Sequence, residues 1–266
     1  MTRATTDTNP PRRLLGVWSH PDDEAYLAAG LMARTVDAGG SVTLLTITDG
    51  EAGFAEDDPR TAPERAKQRR AELRSAMAVI GVADIRRLGV ADGGVDAVPD
   101  QFLVSRIVEV IREVRPDAIV TFGPDGVTGH PDHVATARVV TRAWLEAMTG
   151  ELWYAAKTEA WLDEWRQLHD EFGVWMTEEP TGVAEADLER LVDLAGVDLA
   201  RKRAVLAAHT SQTEGLSAAF GETEYLRWIA QEAFRRPTGS EMLDAHPAAF
   251  VADHVRVGSR RSREVS

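Results

Sequence analysis

Leu14-Leu15-Gly16-Val17-Trp18-Ser19-His20-Pro21-Asp22-Asp23-Glu24 is the stretch whose reading decides the fold. Its first five residues form an apolar run of strand length, closed by a polar turn that contains proline. Helical spacing follows over 24–37 and stops at Gly39-Gly40. Ser41–Thr48 (SVTLLTIT) is rich in β-branched residues and reads as a second strand. Strand, turn, helix and strand in this order are the start of a βαβ crossover.

The alternation continues outward from that unit. Pro63 suits the first turn of a helix over 63–80, and 85–90 reads as a third strand. Phe102, Leu103, Ile107, Val110 and Ile111 recur at helical spacing over 100–115, ended by Pro116. Ala118–Phe122 (AIVTF) is a fourth strand, followed by a helix over 133–148. Such alternation predicts a Rossmann-like, doubly wound α/β fold with a mostly parallel sheet. Beyond residue 150 the pattern thins to a strand over 152–156 and helices over 161–169, 199–209 and 222–236. A tail with little regular structure is expected from Pro237. The expected organisation is one domain over 13–236, a sheet core to about residue 150 with a smaller C-terminal lobe, and tails at 1–12 and 237–266.

Two turns carry the chemistry. In a nucleotide-binding unit the turn after strand 1 is glycine-rich, so that backbone N–H groups can hold phosphate. Here it holds Asp22, Asp23 and Glu24 and no glycine, which repels phosphate and attracts a cation. The turn after strand 4 reads Gly129-His130-Pro131-Asp132-His133. In the common doubly wound order strands 1 and 4 are neighbours, and ligands bind at the crevice between their carboxyl ends. The two turns are therefore expected to face each other there. Alone, the first could be a proline turn with a helix N-cap; the pair together points to a metal.

Catalytic zinc takes three nitrogen or oxygen ligands and leaves a fourth position for water. His20, Asp23 and His133 supply that set. Asp22, beside such a water, is placed to act as general base. His130, as an imidazolium, would stabilise an oxyanion or protonate a leaving amine, and Asp132 is expected to hydrogen-bond it and keep it charged. Iron(II) suits the same ligand types.

With 266 residues the chain can bury the core of one large α/β domain, and 44% hydrophobic with 27% charged residues is an ordinary globular composition. A net charge of -13 disfavours nucleic acid and anionic membranes as partners. The absence of cysteine removes disulfides, a thiol nucleophile and thiolate metal sites. Residues 1–13 are polar, with Arg3, Arg12 and Arg13 and no apolar stretch of a secretory signal, and no run reaches the roughly 18–20 apolar residues of a spanning helix. The expected location is cytoplasmic, the expected partner a small molecule, and a homo-oligomer is compatible with the sequence.

On these motifs the chain resembles the LmbE/PIG-L family of zinc-dependent N-acetylglucosaminyl deacetylases. The resemblance spans roughly 13–236 and is strongest in HPDDE (20–24) and HPDH (130–133). It implies zinc on His20, Asp23 and His133, a metal-bound water as nucleophile, Asp22 as base, His130 as electrophilic or acid partner, and an amino-sugar conjugate as substrate. Weaker correspondences are Thr48-Asp49-Gly50-Glu51, Arg69 with Glu72, Asp92-Gly93 and His209-Thr210-Ser211-Gln212. They imply sugar contacts from Arg69 and Asp92. Arg69 and Glu72 also read as a solvated helix pair, and His209 as a histidine favoured by a helix C-terminus. Trp153, Trp161, Trp165 and Trp175 read as packing or as a cleft lining.

Three other readings use the same residues. Two histidines and a carboxylate also make the facial triad of iron oxygenases, for which Asp22 and His130 have no purpose. A non-catalytic metal- or sugar-binding module would likewise gain nothing from them. A zinc amidase on a non-sugar amide would use the whole set.

Overall fold

A computed structural model describes residues 9–245, within which a single seven-stranded sheet carries helices on both faces. The elements follow in order: β1 (Arg13–Trp18), α1 (Asp23–Leu27), α2 (Ala29–Asp37), β2 (Ser41–Thr48), α3 (Ala62–Val79), β3 (Asp84–Val90), α4 (Asp100–Val114), β4 (Ala118–Phe122), α5 (Pro131–Ala147), β5 (Glu151–Ala156), α6 (Glu159–Phe172), β6 (Arg190–Asp193), α7 (Gly196–Ala208), α8 (Thr210–Phe220), α9 (Glu222–Ile229), β7 (Gln231–Arg235) and α10 (Gly239–Ala245). The strand order is β3-β2-β1-β4-β5-β7-β6. The first five strands are parallel; β7 runs antiparallel to β5 and to β6.

Alternation along β1 separates two cores. Leu14 and Trp18 face one side with Leu44, Val120 and Phe122, under α2, α3 and the C-terminal helices. Leu15 and Val17 face the other with Leu45, Ile47 and Ile119, under α4 and α5. Both faces of the central strands are thus buried, as a parallel sheet requires. β1 and β4 are neighbours, pairing from Leu14 with Ala118 to Gly16 with Val120. Their carboxyl ends open side by side, which brings the two turns together as expected.

Three expectations are corrected. The helix over 24–37 is broken at Ala28 (φ -146°, ψ 5°). The cause lies far along the chain: Glu232 on β7 accepts the Gly30 N–H at 2.8 Å and the Leu31 N–H at 2.9 Å, so a carboxylate caps a new helix start. The helix over 222–236 ends at Ile229, because Gln231–Arg235 is drawn into the sheet between β5 and β6 and buries Ala233 and Phe234. The stretch after Pro237 contains α10, whose Glu241 receives both terminal nitrogens of Arg235. Residues 1–8 and 246–266 of the expected tails, with His246 and His254, lie outside the described residues. Among the described residues no helix is long and apolar enough to cross a membrane.

Candidate active site

The turn from β1 into α1 is strained at its backbone and is held by its neighbours. Asp22 adopts φ 132°, a region that non-glycine residues rarely enter and that costs on the order of 1–3 kcal/mol. Ser19 Oγ reaches the Asp132 carbonyl at 3.0 Å and Thr136 Oγ1 at 2.8 Å, tying this turn to α5. The second turn is strained too, with Val127 at φ 63° beside Gly126 at φ 68°. A Cβ on Gly126 would sit 2.9 Å from His133 Cβ, so only glycine lets the turn close on that histidine.

His20, Asp23 and His133 converge. His20 Nδ1 lies 3.2 Å from His133 Nε2; Asp23 Oδ1 lies 3.2 Å from His133 Nε2, and Asp23 Oδ2 lies 3.6 Å from His20 Nδ1. Tetrahedral zinc with bonds of about 2.0–2.1 Å spaces its donors roughly 3.3–3.5 Å apart, close to the spacings between the two ring nitrogens and the Asp23 carboxylate, which presents one oxygen to each histidine. Each ring is anchored through its other nitrogen. His133 Nδ1 faces the Gly126 carbonyl at 3.0 Å and Thr128 Oγ1 at 3.2 Å, and Phe122 stacks on the ring at 4.0 Å between centroids. With its proton given to Gly126, His133 turns a lone pair on Nε2 toward Asp23 and His20. His20 Nε2 faces Asp92 at 3.0 Å and Asp132 at 3.3 Å. Carboxylates or carbonyls behind histidines are the usual way a protein aims imidazoles at a metal. Two groups of three donor atoms lie within 4.8 Å of one another, His20 with His130 and His133, and His20 with Asp92 and Asp132; the second meets His20 at Nε2, on the far side of the ring from Asp23 and His133.

The electrostatics match. Burial disfavours the charged His20 ring, yet Asp132, Asp92 and Asp23 outweigh it and raise its pKa to about 10. Burial also works against the Asp23 carboxylate, but His133 and His20 lower it to about 2. The pocket is therefore a well of negative charge that draws a cation, whether a proton or a metal. Burial raises Asp22 to about 6, with Arg69 opposing the shift. Arg69 Nη2 lies 3.3 Å from Asp22 Oδ1.

Several residues stand elsewhere than expected. Asp132 does not hold His130 charged. Its carboxylate accepts the Gly93 N–H at 2.8 Å and the Val95 N–H at 3.1 Å besides facing His20, and only its backbone N–H meets His130 Nδ1, at 3.1 Å. His130 is the N-cap of α5, so Asp132 in the first turn points inward past it. Burial, with His20 and His133 nearby, lowers the His130 pKa, and an Nδ1 that accepts a proton leaves the other proton on Nε2. Arg69, expected at the sugar, is 2% exposed and donates to the Pro21 and Gly50 carbonyls beneath the Asp22 turn. Asp92 accepts the Ala52 N–H at 2.8 Å and faces His20.

The weaker motifs meet one another. Glu24 receives His209 Nε2 at 2.9 Å, both side chains fully buried, and Glu72 receives the Ser211 hydroxyl at 2.6 Å. Gln212 donates to the Gly53 carbonyl at 2.9 Å. The start of α8 is thereby fastened to α1, α3 and the loop after β2. Glu24 and His209 each lie in a motif that the sequence shows, but 185 residues separate them and nothing in the sequence pairs them.

The PIG-L family, described as GlcNAc-PI de-N-acetylase, matches residues 15–144. A 1D-myo-inositol 2-acetamido-2-deoxy-alpha-D-glucopyranoside deacetylase of Rhodococcus jostii (strain RHA1) is 34% identical over 254 residues, covering 80% of this chain and 85% of that protein. Among solved structures, N,N'-diacetylchitobiose deacetylase from Pyrococcus horikoshii superposes with a TM-score of 0.62 at 19% identity, over 87% of this chain and 86% of that one. The 4-carboxy-2-hydroxymuconate hydratase of Pseudomonas putida KT2440 superposes at 0.56 with 14% identity, over 85% of this chain and 96% of that one. The shared fold thus hosts more than one reaction, and the reaction must be argued from the site.

Proposed function

The chain belongs to the PIG-L (LmbE-like) family of metal-dependent de-N-acetylases, and on that premise we propose that it hydrolyses the acetamide of an N-acetylglucosamine conjugate, with zinc held by His20, Asp23 and His133. The observation that carries this reading is the convergence of those three side chains at 3.2–3.6 Å beside a strained Asp22. Zinc, when bound, would polarise the amide carbonyl and acidify a water. The remaining steps belong to the protein's own groups. Asp22, with a carboxyl raised by burial, takes the proton of the attacking water and delivers it toward the departing amine. Arg69 holds Asp22 ionised and oriented from below, with the Pro21 carbonyl on the same guanidinium. His130, neutral with its proton on Nε2, donates to the developing oxyanion. Asp132 and Asp92 keep His20 aimed at the cluster. The same ligand types also suit iron(II).

An inositol-linked aglycone is the first substrate to try, because the Rhodococcus jostii relative is named for one. The test is a panel of N-acetylglucosamine conjugates, including the free sugar and the inositol-linked form, assayed for primary amine release by zinc-loaded protein. Turnover of any member supports the reading, and the ranking identifies the aglycone. Stoichiometric zinc with no amine release from any sugar would move the assignment to a non-sugar amide or a binding role.

A further inference from the structure

The cavity bordered by Asp23 and His133 has a polar feature that this mechanism leaves unused. It encloses about 350 Å³, and much of its wall is aromatic, from Tyr26, Trp161, Trp175 and Trp228. Lys157, one of only three lysines with Lys67 and Lys202, lines it as well. Lys157 is the first residue after β5, the strand beside β4, so it leaves the sheet at the carboxyl end where both metal-site turns open. Its carbonyl accepts the Val183 N–H at 2.9 Å, and Thr158 next to it caps α6, so its backbone is fixed.

The ammonium itself lies 4.3 Å from the Trp161 ring centroid and has no hydrogen bond or ion pair among the described residues. Lys202 shows the contrast: fully buried, it is met by Glu232 at 2.8 Å and by the Tyr26 carbonyl at 2.8 Å. Lys157 is only part-buried, and the aromatic face replaces part of the hydration that its ammonium loses there. Burial, with the charge of Lys202 adding to it and Glu232 offsetting part, pulls the Lys157 amine down to about 7. A wholly apolar occupant would deepen that desolvation, whereas an anion against the amine would relieve it.

We infer that this cavity is the aglycone subsite and that Lys157 selects conjugates whose aglycone joins an aromatic or apolar body to an anionic group. The inference rests on the deacetylase reading above. It predicts a specificity-determining role, carried by aromatic contact for the body and by one charge-assisted contact for the anion.

The test uses two matched probes, the 2-acetamido-2-deoxyglucopyranosides of 4-hydroxybenzoate and of 4-hydroxybenzamide, which differ in charge at nearly constant shape. With zinc-loaded wild type, kcat/KM favours the carboxylate at least about tenfold, the gain lying in KM. The ratio falls to about one in Lys157→Met and below one in Lys157→Glu, while Lys157→Arg retains a carboxylate preference. Calorimetric binding of both probes is measured in parallel. Hydrolysis of both probes by wild type at equal kcat/KM overturns the role of Lys157 and leaves the deacetylase reading standing, without recourse to any variant. Hydrolysis of neither, with carboxylate-selective binding lost in Lys157→Met, overturns the deacetylase reading and keeps the anion site. A preference that persists unchanged in folded Lys157→Met assigns the selectivity elsewhere and also overturns the inference.

Discussion

His209→Ala tests whether the C-terminal helices help hold the metal turn. In the folded protein His209 Nε2 lies 2.9 Å from Glu24 Oε1, and neither side chain is exposed. Two unit charges at 2.9 Å attract by about 6 kcal/mol at an effective dielectric near 20, and the cost of burying them cancels part of that gain. Removing the ring strands Glu24 with only the Asp22 N–H at 3.1 Å, and an abandoned buried charge costs about 3–5 kcal/mol. With roughly 2–4 °C per kcal/mol for a domain of this size, Tm should fall by roughly 6–20 °C. The assay is thermal and urea unfolding in a chelator, so that metal binding does not enter. In a Glu24→Gln background the same substitution should cost only about 1–2 kcal/mol, since a neutral contact is lost.

The pH dependence follows from the sign of the shift. Burial lowers the His209 pKa, but the hydrogen bond and charge of Glu24, with the charge of Asp22, bring it above the usual 6.5. A histidine with a raised folded pKa stabilises fully below its unfolded value and loses that stability as pH rises through the folded value. The gap between wild type and His209→Ala should therefore be widest near pH 6 and narrow on the alkaline side. Equal costs in the two backgrounds, or a loss below about 1 kcal/mol, would refute a charged pair here.

Three further outcomes concern the reaction itself. Asp22→Asn should lower kcat by about 10²–10⁴-fold while metal analysis still finds one zinc per chain; an unchanged kcat would remove Asp22 from the role of base. His133→Ala should lose zinc on dialysis, and stoichiometric retention would contradict its place as a ligand. Asp132→Asn should weaken zinc binding by about 10–100-fold through the His20 ring it no longer fixes, read by competition with a chromogenic chelator. If Asp132 served His130 alone, metal affinity would not move.

The parts of the molecule legible in the sequence are those whose cause is local. Ser41–Thr48 and Ala118–Phe122 read as strands because they are short runs rich in β-branched and apolar residues, and they form with those bounds. The two acidic, histidine-bearing turns are legible because the first carries three carboxylates and no glycine where a phosphate-binding turn carries glycine, and the second follows the strand expected beside β1. What escaped has distant causes. The break at Ala28 is made by Glu232, 202 residues beyond Gly30. β7 looked helical because its pattern continues that of α9, and only its place between β5 and β6 makes it a strand. β6 is four residues long with one buried side chain, too short to show a period. Within the site, adjacency in sequence points Asp132 to His130, but the direction of the first turn of α5 sends it to His20. The anchoring of His133 by the Gly126 carbonyl and the placing of the Lys157 ammonium over the Trp161 ring leave no motif at all.

The most direct test of the account follows primary amine release from the inositol-linked N-acetylglucosamine conjugate through one cycle of chelation and zinc return. The account predicts release by the zinc-loaded protein, its loss in chelator, and its recovery with one equivalent of zinc. Amine release that continues undiminished after the metal has been stripped would contradict it.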